Sequence, residues 1–76
     1  MERQLISGDE LATLVNKRVR QLVRTGACKI AGVLRLHKPD NDGCNWEEIG
    51  VKGTYTKGFR QALMEMRARY NLADFF

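Results

Sequence analysis

The chain holds one histidine, one proline and two cysteines in 76 residues, and its only serine is Ser7. Each scarcity excludes something. With His37 the lone imidazole and Ser7 occupied at a helix start, no Ser–His–carboxylate triad can be assembled. Two cysteines are too few for a disulfide framework. No apolar run approaches the roughly 20 residues of a membrane span. Charge breaks Met1 to Gly26 throughout, leaving no apolar stretch of the kind a signal peptide needs. The expectation is a cytoplasmic protein with no cofactor, no metal and no membrane partner.

What is present suits one small folded unit. The apolar fraction of 43% is ordinary for a globular protein, so a single α+β domain over residues 1–76 is expected. A chain this short buries only about 60–65% of its unfolded surface, which leaves a thin stability margin and favours support from a partner subunit. The net charge of +4 is unevenly spread. Lys17 to Lys38 carries seven bases and no acid, Asp40 to Glu48 four acids and no base, and Lys52 to Arg69 five bases against Glu65. Segregated charge of this kind attracts nucleic acid or an acidic partner, and it also keeps small proteins soluble.

Ser7 followed by Glu10 reads as a capping box, with Ile6 and Leu11 as a hydrophobic staple. Leu11, Leu14, Val15, Val19, Leu22 and Val23 then recur at helical spacing, and Gly26 is the expected stop after Thr25. Cys28, Ile30, Gly32, Leu34 and Leu36 alternate with more polar neighbours, which predicts a strand with those five facing inward. Pro39 to Gly43 is dense in turn formers. Trp46 to Val51 is the expected return strand, with Ile49 and Val51 inward, Leu34 opposite Ile49 and Arg35 opposite Glu48. A second helix is expected from Lys57 to Tyr70, with Phe59, Ala62, Leu63, Met66 and Tyr70 in one stripe and a Glu65–Arg69 pair on its surface. Asn71 is its expected stop, and Leu72 to Phe76 form a tail. The order is then α-β-β-α, two layers, with both helices packed on one face of a small antiparallel sheet.

Few residues offer chemistry. Cys44 and His37 flank the turn, but a nucleophilic thiol needs its base within hydrogen-bond reach and a group to orient that base. Cys28, His37 and Cys44 do not follow a zinc-site spacing. Asp40-Asn41-Asp42-Gly43 fails as a calcium loop, because Lys38 and Ile49 would fall at the first and twelfth ligand positions. Cys28 is expected to be buried and unbridged, since a hairpin would place Cys44 far beyond the ~7 Å that a disulfide tolerates. No enzymatic activity is expected.

Binding is better served. The segment Gly50 to Gly58 is glycine-rich, holds Lys52 and Lys57 and opens a helix, a setting that suits an anion. Lys17, Arg20 and Arg24 form a stripe opposite the apolar face of the first helix and could meet phosphates. Met64 off the second helix's stripe, with Phe75 and Phe76 at the end, suggests apolar surface for a partner. A non-catalytic, self-associating protein-interaction module is the leading expectation, and a nucleic-acid-binding accessory protein using the basic residues is the alternative. Trp46 is expected to serve the core more than a binding surface.

The run Pro39-Asp40-Asn41-Asp42-Gly43-Cys44-Asn45-Trp46, with Tyr70-Asn71-Leu72 at a helix end, resembles a group of small bacterial and phage proteins. These share a PDxDGCNW-like turn and a helix ending in aromatic-Asn-Leu. The resemblance covers the C-terminal half of the chain. It implies a prokaryotic or prophage accessory protein and brings no activity or site residues with it.

Overall fold

The computed structural model describes residues 3–23 and 28–73. Six elements follow one another: β1 (Gln4–Ile6), α1 (Gly8–Leu22), β2 (Gly32–Arg35), β3 (Trp46–Ile49), α2 (Lys57–Arg69) and β4 (Tyr70–Leu72). The class is α+β, but the order is β-α-β-β-α-β and not the expected α-β-β-α. Two two-stranded sheets replace the single one: β1 pairs with β4 in parallel, and β2 with β3 antiparallel. The helices pack on each other, with α1 also against β2 and β4, so they are not laid side by side on one sheet face. The missed strands have three residues each, too short to show a period of two, and their partners lie at opposite ends of the chain.

Helix α1 begins as its sequence dictates. Ser7 is the N-cap and its hydroxyl accepts the Glu10 N–H at 3.2 Å, forming the hydroxyl half of the capping box. Ile6, Leu11, Val15 and Val19 are buried, and Leu14, Leu22 and Val23 pack around them. The helix ends at Leu22, earlier than expected, because Val23 turns extended while its N–H still bonds the Val19 carbonyl. Arg24, Thr25 and Gly26, on which the expected stop rested, lie outside the described residues.

The hairpin keeps its place but turns its other side to the core. Cys28 and Ile30 point inward as expected, and then the alternation slips: Val33 packs on the core while Leu34 is 49% exposed. The cause lies at Ala31 and Gly50. The Ala31 N–H is shared between the Ile49 and Gly50 carbonyls, at 3.0 and 3.2 Å, and Gly50 adopts φ +67°. A Cβ at Gly50 would sit 2.5 Å from that of Ala31, so only glycine permits the bend. Beyond it, Leu34 faces Glu47 and Arg35 faces Trp46, two residues away from the expected pairing. Trp46 is therefore fully buried, whereas Ile49 and Val51, expected inside, are each 43% exposed. Arg35 does not meet Glu48; it donates to the carbonyls of Ala73 and Leu72.

Helix α2 is capped by Thr56, whose hydroxyl accepts the Phe59 N–H at 3.1 Å. Phe59, Ala62, Leu63 and Met66 are buried, as their spacing predicts. Gly58 lets the start of α2 touch the end of α1, since a Cβ there would lie 2.5 Å from Val23 Cγ2 and 3.2 Å from the Leu22 carbonyl oxygen. Tyr70 leaves the helix in extended conformation and opens β4, so the expected tail is partly a strand.

The turn between β2 and β3 joins the two sheets. Gly43 takes φ +89°, and the Asp40 carboxylate accepts N–H bonds from Asp42 and Cys44 at 2.9 and 3.0 Å. Just past the turn, the Asn45 side chain accepts the Leu72 N–H at 2.8 Å and donates to the Leu72 carbonyl at 3.1 Å. Asn71 returns the exchange, accepting the Asn45 N–H and donating to the Gly43 carbonyl, both at 3.1 Å. Trp46 Nε1 donates to the Tyr70 carbonyl at 2.9 Å. Truncation of Asn45 to alanine leaves two half-buried backbone groups of Leu72 without this partner, and a loss of about 2–3 kcal/mol is expected. Urea unfolding of Asn45→Ala measures it; a loss below about 0.5 kcal/mol, the level of an ordinary surface substitution, would show that the clamp contributes little.

Candidate functional site

Three surfaces stand out among the described residues. The first is a groove of about 290 Å³ between α1 and the C-terminal half of α2. Leu14, Met66 and Tyr70 line it, together with Lys17, Arg18, Gln21 and Arg69, and no acid is among its lining residues. Arg18 is occupied: its guanidinium makes bonds of 2.6 and 3.2 Å to Glu65 across the helix pair and a third to Gln21. The expected Glu65–Arg69 pairing therefore gives way to an interhelical one, because Arg18 presents two donors to both carboxylate oxygens. The same bonds hold the Glu65 carboxyl below its usual range. Lys17 and Arg69 are the cations left facing the groove. Arg20 is exposed in the last turn of α1 but does not line it, and Arg24 lies outside the described residues.

The second surface is a cleft of about 590 Å³ lined by Arg3, Asp40, Asp42, Cys44, Met64, Arg67 and Ala68. Sequence reasoning missed it, because Arg3 and Arg67 meet only through the β1–β4 pairing. Arg3 Nε donates to the Arg67 carbonyl at 2.6 Å. The Arg67 guanidinium bonds Glu48 at 2.7 Å and lies 5.7 Å from the Trp46 ring centroid, a cation–π distance. Cys44 forms part of the wall, nearly inaccessible, with Sγ 3.4 Å from the Trp46 carbonyl. Burial pushes its thiol up, away from the thiolate form that a nucleophile requires. Cys28 and Cys44 are both free and buried. His37 is exposed, and among the described residues no group of three histidine, cysteine or acidic side chains gathers as metal ligands do. Met64 is 62% exposed beside this cleft, as its place off the apolar stripe predicts; Phe75 and Phe76 lie outside the described residues.

The third surface is the side of the β2–β3 hairpin turned away from the core. Facing residues of an antiparallel pair share a side, so Gly32, Leu34, Glu47 and Ile49 form one outward patch. Leu34 and Ile49 are its exposed apolar side chains. Farther along the ribbon, Lys29 and Lys52 sit directly opposite each other, exchanging two backbone bonds of 2.9 Å, with both residues exposed. Lys52 thus belongs to this ribbon, while Lys57 is exposed at the first position of α2. Around them, Gly50 and Gly58 serve close packing, and Thr56 caps the helix.

Among the described residues, no helix is long and apolar enough to cross a membrane. No family model, curated protein or solved structure matches the chain.

The turn has a measurable acid signature. The backbone N–H of Cys44 and, less strongly, that of Asp42 hold the Asp40 carboxyl below its ordinary value. A carboxyl depressed in the folded state contributes its stability above its unfolded pKa, about 3.9, and loses it as pH falls through the lower folded value. Asp40→Asn should therefore melt below the wild type at pH 7, with the gap closing as pH drops below about 4. Thermal melts of both proteins from pH 7 to pH 2 check this, and a gap that stays constant overturns it.

Proposed function

We propose that the chain is a non-catalytic protein-interaction module that self-associates, with the outward side of the hairpin as its contact surface. The observation that carries this reading is the exposure of Leu34 and Ile49 together on the side of the hairpin turned away from the described core. A two-stranded sheet is marginal alone and gains from apolar cover. The small core supports the reading, because a domain of 76 residues has little burial in reserve. Light scattering across a concentration series should show mass rising above the monomer. The double variant Leu34→Thr, Ile49→Thr should lower that association by about tenfold or more while leaving the melting temperature within a few degrees. A wild type that stays monomeric at millimolar concentration would falsify the reading.

A second reading rests on the groove, where Lys17 and Arg69 face an apolar floor with no lining acid. It makes the chain a nucleic-acid-binding accessory protein that holds phosphates there. Two cations imply about two phosphate contacts, and so a slope of log affinity against log salt near −2 on duplex DNA. Titration with mixed-sequence DNA at low salt decides: Lys17→Ala should bring the slope to about −1, and absence of binding removes this reading.

A further inference from the structure

We infer that two copies of the chain meet hairpin to hairpin about a two-fold axis crossing the Gly32–Ile49 pair, with Lys29 and Lys52 of each copy over Glu47 of the other. This rests on the self-association reading above and specifies the partner and its register. The order of residues along the outward side leads to this pairing. At one end stand Lys29 and Lys52, directly opposed. In the middle lie Gly32 and Ile49, and at the other end Leu34 faces Glu47. The ribbon therefore runs from cationic through apolar to acidic over five residue steps, about 16 Å. A two-fold rotation reverses that direction, so each charged end meets its opposite and the apolar middle meets itself. An isologous contact requires a surface complementary to itself in this way.

Two further features agree with it. Like charges directly opposite on paired strands are destabilising, so Lys29 and Lys52 are a cost to the isolated chain that an acid from outside would offset. Glu47 is the matching acid: it is exposed, and among the described residues no side chain holds it, unlike Glu48 and Glu65, which are bound by Arg67 and Arg18. The centre is also shallow. The Ile49 side chain lies over Gly32, with Cδ1 and Cγ1 each 3.9 Å from where a Cβ would be, so a second copy can approach closely there. The ordered ladder is only four pairs long, so the contact is small and the association weak, concentration-dependent and reduced by salt.

Charge exchange tests the arrangement on the full chain. Glu47→Lys makes both ends of a pair cationic, and the double variant Lys29→Glu, Lys52→Glu makes both ends acidic. Each variant alone should dissociate about tenfold more readily than wild type in sedimentation velocity at low salt, with an unchanged far-ultraviolet spectrum and melt. Mixed in equal amounts, the two variants should associate again, because each of the two end contacts then sets lysines against glutamates. If both variants associate as the wild type does, the charge register is wrong while self-association stands. If each variant is weakened but the mixture fails to recover, the two-fold pairing is wrong. Should the wild type itself remain monomeric, the inference falls together with the reading beneath it.

Discussion

The exchange between Asn45 and Asn71 is the constraint on which the rest of this fold depends. Each amide bonds backbone groups of the other's segment, so four hydrogen bonds tie the exit of the turn to β4. A carboxamide is suited to this because it offers a donor and an acceptor on one planar group, which matches the N–H and carbonyl of Leu72. With β4 held there, β1 has a parallel partner, and segments more than sixty positions apart are brought together. The same clamp fixes the position of Trp46, whose ring is fully buried and whose Nε1 is satisfied by the Tyr70 carbonyl. A large aromatic with its polar edge bonded supplies much of the burial that a small core needs.

Placement of β4 and Trp46 also decides where charges can go. Arg67 lies against the Trp46 ring and takes Glu48, and its carbonyl receives Arg3. Arg18 takes Glu65 between the helices. These pairs are partly exposed, so each contributes modestly to stability. Their larger consequence is subtraction. Glu48 and Glu65 are committed to partners within the fold, and what remains free to meet another molecule is a different set of charges from the one a count along the chain suggests.

That remainder shapes the functional reading. Two cations face a groove between the helices, a mixed-charge cleft lies beside the turn, and the hairpin exposes Leu34 and Ile49 on the side that also carries Glu47, with Lys29 and Lys52 farther along the ribbon. Trp46, the side chain with the strongest compositional claim to be a binding anchor, is absent from all three because the core holds it. The hairpin patch is favoured because its apolar centre and its opposed ends are complementary to a second copy of themselves.

Local signals were enough for α1, α2 and the turn. Ser7 and Thr56 cap helices whose buried residues recur every three or four positions, and Asp40 and Gly43 make a reversal from their own side chain and backbone freedom. Such features involve residues within a few positions of each other, and the sequence determined them by itself. Tertiary structure decided the rest. The β1–β4 pairing joins residues over sixty positions apart, and nothing in Gln4–Ile6 or Tyr70–Leu72 announces a strand. The side that the hairpin turns inward was reversed by one bend at Ala31 and Gly50, since a period of two carries a single phase past any distortion. Partners for Arg18, Arg35 and Arg67 were likewise settled in space, because a long cationic side chain pairs with whichever acceptor the packed elements bring within its reach.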